Sequence, residues 1–149
     1  METPQITISP MTSEDIDQVF ELGMATKELQ ISETEEMFYP KEDLLKAINS
    51  PHHLCLVAWV NGIFAGFRLA QLDPGLGDTY LSDIIIKPEF RSLGVGRKLF
   101  ETSLKILESK GSQWSWALVH EDNLYMQQFL EKQGFTKGRK FYFYYRDEA

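Results

Sequence analysis

The sequence predicts an α/β fold: a mixed β-sheet with about four helices on its faces. Three observations carry that prediction. Thr79 to Leu107, TYLSDIIIKPEFRSLGVGRKLFETSLKIL, reads as strand, tight turn and helix. Asn61-Gly62, the strongest short hairpin signal, separates two apolar strand-like runs. The helical and strand periods along the chain follow the order β-α-α-β-β-β-α-β-α-β.

The elements follow in turn. Gln5 to Ser9 alternates as a short strand with Ile6 and Ile8 on one face. Thr12 is an N-cap with Asp15 at the third helical position, a variant of the capping box, and Met11 and Ile16 form the hydrophobic staple. That helix carries Val19, Phe20 and Gly23 on one side and frays near Leu29. Ile31 to Pro40 has no clear period. Pro40 then sits in the first turn of a helix bearing Leu44, Leu45 and Ile48, closed by Ser50-Pro51. Leu54 to Val60 is a continuous apolar run, a strand buried on both faces. Ile63 to Gln71 returns after the hairpin, and Asp73-Pro74-Gly75 leads into the strand from Tyr80 to Ile86. From Val95 apolar residues recur at helical spacing to Leu107, and Gly111 is a C-cap. Trp114 to Val119 is a strand, and Asp122 or Asn123 starts a helix ended by Gly134. Phe135 to Arg146 is aromatic and β-prone, one strand or a tight hairpin about Gly138 that offers an edge to a second copy in a homodimer.

At 149 residues the chain is expected to form one domain, residues 1–149. A net charge of −7 argues against a nucleic-acid surface. The single cysteine, Cys55, precludes an internal disulfide and fits a reducing compartment; within its apolar run it reads as a small core side chain. No apolar run approaches a bilayer span, and METPQITISP is too polar for a signal peptide, so the expectation is a cytoplasmic protein. Three histidines without carboxylates at ligand spacing give no reason to expect a metal.

Between the central strand and helix lies Arg91-Ser92-Leu93-Gly94-Val95-Gly96. Glycines at a helix start allow unusual dihedrals and close backbone approach, and the first helical N–H groups lack internal acceptors. Such a terminus binds phosphate, and Arg91, Arg97 and Lys98 add positive charge.

With these motifs the chain resembles the GNAT family of acyl-CoA-dependent N-acetyltransferases. The family's pyrophosphate loop, Arg or Gln followed by x-x-G-x-G or x-x-G-x-A, matches Arg91, Gly94 and Gly96, and its lead-in matches Ile84 to Phe90. Downstream, Val119, Asn123 and Gly134-Phe135 fit the family's second spacing. The resemblance implies a GNAT fold and acetyl-CoA as the acyl donor. Backbone groups of Ile84, Ile85 and Ile86 would hold the pantetheine arm as an added strand. The amides of Ser92, Leu93, Gly94, Val95, Gly96 and Arg97 would cradle the pyrophosphate, and Asn123 would reach the cofactor near its thioester. The acetyl group would sit where the fourth and fifth strands splay, with a backbone N–H near Ile85 or Ile86 stabilising the oxyanion. The implied reaction is direct attack by an amine on the thioester in a ternary complex.

The chain departs from the family where acid and base are usual. The common tyrosine acid falls at Leu130, and the carboxylate positions fall at Tyr80, Ser82 and Leu118. Candidate replacements are His120, at the end of the fifth strand, and Tyr80 and Ser82, which share one strand face at period two. Asp83, on the opposite face by the same alternation, reads as structural. Tyr125, Tyr142 and Tyr144 are further hydroxyls. In the family the segment joining the first two helices walls the acceptor pocket; here it carries Glu33, Glu35 and Glu36, which suit a cationic amine such as a polyamine or a basic peptide N-terminus. The absent acid and base also admit a second reading, a non-catalytic acyl-CoA-binding module.

Overall fold

The computed structural model describes residues 2–26, 38–146 and 148. The acidic stretch with Glu33, Glu35 and Glu36 lies outside the described residues, as does Leu29, the expected fraying point of the first helix; that helix ends at Ala25. The chain divides into two compact units, residues 1–118 and 119–149.

The first unit is built on a five-stranded sheet in chain order: β1 (Ile6–Pro10), β2 (His53–Val60), β3 (Ile63–Asp73), β4 (Asp78–Ile86) and β5 (Trp114–Trp116). The first four pair antiparallel and β5 joins β4 in parallel. The β2–β3 hairpin turns at Asn61 (φ 50°) and Gly62 (φ 79°), both left-handed, the geometry that matches strand twist. One face carries α1 (Ile16–Ala25) and α2 (Lys41–Ile48); their Ile16, Val19 and Leu44 form a buried core with Cys55, Val57, Phe67 and Leu69 of β2 and β3. The other face carries α3 (Val95–Ser109), which buries Leu99, Phe100 and Leu107. A single turn of 3₁₀ helix, Ser13–Asp15, precedes α1, and the Asp15 carboxylate accepts the Thr12 N–H at 2.8 Å, so the capping box forms as expected.

The second unit holds α4 (Leu124–Lys132), capped by Asn123, whose carboxamide oxygen accepts the Met126 N–H at 3.1 Å. Among the described residues the expected strand or hairpin over 135–146 is not formed; the segment carries no ladder, and its aromatics from Phe141 to Tyr145 are exposed. β-propensity describes the fit of a side chain to a pleated surface, and without a neighbour's backbone it produces no strand. β5 likewise stops at Trp116, short of the expected Val119. No described helix is long and apolar enough to cross a membrane.

Candidate active site

Two features of the first unit adjoin at the end of β4. β4 is paired with β3 along most of its length, but β5 covers only Asp78 to Tyr80. Among the described residues, the other edge of Leu81 to Ile86 has no strand beside it, so the backbone groups that Ile84 and Ile86 turn to that edge, apart from the Ile86 carbonyl taken by Arg91, are available to an extended, amide-bearing ligand, while the Ile85 carbonyl faces β3. The β3–β4 contact behind that edge is close. A Cβ on Gly66 would lie 2.3 Å from the Ile85 carbonyl oxygen, so only glycine lets the strands meet here.

The second feature is the turn into α3. Gly94 is its N-cap at φ 88°, and Ser92 is also left-handed at φ 66°. The helix's own ladder begins with Lys98 N–H to Gly94 O at 3.1 Å, so the amides from Ser92 to Arg97 precede it. Left-handed residues among successive amides make a concave nest for anions, and the helix dipole adds to its field. A Cβ on Gly94 would meet nothing within 4 Å, so the hollow above the turn is open. This geometry fits a pyrophosphate. Gly96 adjoins β4 directly, its Cβ position 3.7 Å from Ile86 Cγ1, so strand end and helix start form one continuous surface.

The expected basic residues are each engaged within the chain. Arg91 Nε donates to the Ile86 carbonyl at 3.1 Å, tying the loop to β4; Arg97 pairs with Glu101 at 2.9 Å; Lys98 Nζ reaches the Ile6 carbonyl of β1 at 2.6 Å. Arg91 and Lys98 thereby fix the loop as well as charge it.

The structure rearranges the expected catalytic face. The β3–β4 register runs Leu69 opposite Asp83 and then Gln71 opposite Tyr80, two residues on β3 against three on β4. This is a β-bulge, and one inserted residue reverses which side chains share a face. Asp83, placed by simple alternation opposite Tyr80 and Ser82, therefore joins Tyr80 on the α1–α2 face. The Tyr39 hydroxyl donates to Asp83 Oδ2 at 3.1 Å, a contact across 44 residues. Ser82 Oγ donates to the Leu69 carbonyl at 3.0 Å, and Tyr80 stacks on Trp116 with ring centroids 4.4 Å apart, where β4 and β5 part.

Arg68 of β3 approaches from the other face, fully buried and stacked 5.1 Å over the Phe100 ring. Its Nη1 donates to the Asp83 carbonyl at 3.3 Å. Burial pushes the Arg68 pKa down to about 10, so it remains charged at neutral pH. Burial raises the pKa of Asp83, while the Ser82 and Tyr39 hydroxyls and the Arg68 charge restrain the rise. Burial and the Asp83 charge hold the Tyr39 and Tyr80 hydroxyls protonated. Sequence alternation put Asp83 on the wrong face and gave no sign of its contact with Tyr39; the residues at the bulge carried no signal of it.

A half-open cleft of about 420 Å³ lies beside this cluster, between α2 and the strands. Leu44, Cys55 and Leu69 contribute apolar wall, with Tyr39, Gln71 and Ser82 among its polar groups.

In the second unit His120 is an exposed side chain, its Nδ1 3.7 Å from Asp122 Oδ2. Leu130 is half-buried, and its carbonyl accepts the Phe135 N–H at 3.0 Å. Tyr125, Tyr142 and Tyr144 are exposed.

Comparison with known proteins places these features in context. The model of the acetyltransferase (GNAT) family matches residues 17–135. N-alpha-acetyltransferase 30 of Schizosaccharomyces pombe (strain 972 / ATCC 24843) is 30% identical over 92 residues, 60% of this chain and 61% of its own, so the chain matches less than two thirds of that relative. Among solved structures, the PaiA N-acetyltransferase of Thermoplasma acidophilum, in complex with coenzyme A, superposes with a TM-score of 0.78 at 24% identity, over 89% of this chain and 90% of its own. The aminoglycoside acetyltransferase meta-AAC0020 from an uncultured soil metagenomic sample gives 0.79 at 17% identity, over 96% and 97%. The ribosomal-protein-S18-alanine N-acetyltransferase of Escherichia coli gives 0.72 at 21%, over 91% and 80%. These structural likenesses show the fold.

Proposed function

Because the chain belongs to the acetyltransferase (GNAT) family, we propose that it is an N-acetyltransferase that moves the acetyl group of acetyl-CoA to a primary amine by direct attack in a ternary complex, with residues 1–149 acting as one such domain. The observation that carries this reading is the open β4 edge running into the left-handed turn at Gly94.

In this reading Ile84 and Ile86 hold the pantetheine arm through their backbone, and the amides from Ser92 to Arg97 hold the pyrophosphate. Asn123 uses its carboxamide oxygen to cap α4, which leaves its NH₂ as the donor to the cofactor. Acetyl-CoA supplies an activated thioester; the chain supplies position and hydrogen bonds. A backbone N–H at Ile85 or Ile86 stabilises the charge that develops on the carbonyl oxygen. Tyr80, protonated and seated at the splay, donates to the departing thiolate, with Ser82 as an orienting hydroxyl and His120 as the remaining candidate. The acceptor is a small basic amine or a peptide amine. The names of the similar proteins support both classes, since they include an N-alpha-acetyltransferase and an aminoglycoside acetyltransferase.

A specific observation favours one alternative, a non-catalytic acyl-CoA-binding module: Leu130 stands where the family's tyrosine acid is usual. Turnover separates the two. CoA release from acetyl-CoA is followed with a thiol reagent across polyamines, aminoglycosides, amino acids and basic peptides, beside calorimetry of acetyl-CoA binding. Release that depends on one amine class supports the enzyme. Tight binding without release across the panel supports the module, and absence of binding sinks both.

A further inference from the structure

The acceptor amine is protonated at neutral pH, and an ammonium is no nucleophile, so the acetyltransferase reading, on which this inference rests, needs a path for that proton. We propose that the Tyr39 hydroxyl receives it and passes its own proton to Asp83, so that the Tyr39–Asp83 pair is the base of this site.

The geometry orders the three partners. Tyr39 is partly exposed and lines the cleft beside α2, whereas Asp83 is buried behind it and accepts the Tyr39 hydroxyl at 3.1 Å. An amine in the cleft therefore meets the hydroxyl first and the carboxylate only through it. The Asp83 backbone is held from behind. Arg68 Nη1 donates to the Asp83 carbonyl, and the bulge that presents Asp83 is pinned by Ser82 Oγ on the Leu69 carbonyl. The cluster also lies where β4 and β5 part, beside the stacked Tyr80 and Trp116.

The proton balance closes. An N–H bond of the ammonium breaks as an O–H bond forms on Tyr39; the original Tyr39 O–H breaks as one forms on Asp83. The ammonium and the carboxylate become neutral together, and no free phenolate accumulates. The neutral amine attacks the thioester, its second proton leaves with the CoA thiolate, and Asp83 returns its proton to solvent. Burial makes Asp83 a stronger base than a surface carboxylate, and the Arg68 charge opposes that rise. The titratable and charged groups around it are Tyr39 ahead of α2, Tyr80 on β4 and Arg68 on β3, with Asp43 and Lys46 of α2 and His53 of β2 lining the adjoining cleft.

The test uses the full chain and two short amines of similar size: ethylamine, protonated at neutral pH, and 2,2,2-trifluoroethylamine, largely neutral there. Tyr39→Phe and Asp83→Asn should each lower kcat/KM for ethylamine by about a hundredfold and that for trifluoroethylamine by no more than about threefold. Acetyl-CoA affinity by calorimetry should not change. A readout independent of turnover is the carbon-13 NMR titration of the Asp83 carboxyl, which should move up in Tyr39→Phe, because the phenolic hydrogen bond favours the ionised form. Asp83→Asn risks the fold by altering a buried group; Tyr39→Phe, at a partly exposed ring, keeps the test decisive. Equal losses for both amines, or full activity of Tyr39→Phe with ethylamine, would overturn the relay while leaving the acetyltransferase standing. Failure of the unaltered protein to bind acetyl-CoA would remove the reading beneath it.

Discussion

Gly94 separates strain from ligand contact. Its φ of 88° penalises any residue with a Cβ, yet a Cβ there meets nothing within 4 Å. Gly94→Ala should therefore cost about 1–2 kcal/mol through backbone strain alone. For a chain of this size that is roughly a 2–8 °C loss in Tm. The hollow stays open, and acetyl-CoA affinity should hold within about threefold, under about 0.7 kcal/mol. Gly94→Glu carries the same strain and adds a carboxylate over the nest. At about 4 Å from one phosphate charge, with an effective dielectric of about 20, the repulsion is about 4 kcal/mol. That corresponds to roughly a thousandfold weaker Kd. Thermal melts and calorimetric titration of both variants with acetyl-CoA measure the two quantities separately. Equal affinities for the Ala and Glu variants, both folded, would refute the assignment of this turn as the pyrophosphate cradle.

Three further outcomes are expected. Gly66→Ala drives a Cβ against the Ile85 carbonyl, which is backbone and cannot swing aside, so urea unfolding should show a loss of about 1–3 kcal/mol or more, with weakened acetyl-CoA binding from the displaced β4 edge. Burial pushes the Cys55 thiol up to about 11, so Ellman's reagent should modify the native chain at pH 8 at least about a hundredfold more slowly than the chain in guanidinium; equal rates would contradict the burial. Asp83 has a folded pKa above its ordinary value, so the folded state holds this proton through a window where the unfolded chain has lost it. Its contribution to stability is full below the ordinary carboxylate range and is lost as pH rises through the folded pKa. Relative to Asp83→Asn, the unaltered protein should lose stability from about pH 4 upward and then level off, as read by urea titrations across pH. A flat difference would show that Asp83 is not perturbed.

Most elements were legible because their signals are local. The Asn61-Gly62 hairpin, the Thr12 capping box and the Gly94 turn each depend on a few neighbouring residues whose dihedrals or caps admit few alternatives. The face of Asp83 was not legible, because alternation assigns faces only while register is unbroken, and register belongs to a pair of strands. Residues 135–146 differ in the opposite direction: an aromatic, β-prone composition described a strand that has no ladder among the described residues.

The sequence by itself determined the nest at the start of α3, the hairpin and the helix caps, since these are short-range consequences of glycine's dihedral freedom and of which side chains can cap a helix. Only the tertiary structure decided the chemistry beside them. The bulge that turns Asp83 toward Tyr39, the burial that raises its pKa and the Arg68 guanidinium fixed behind it all depend on residues distant in the chain meeting across a packed sheet. Hydrogen bonds and desolvation act over a few ångströms of space, and sequence spacing says nothing of which distant side chains will share them.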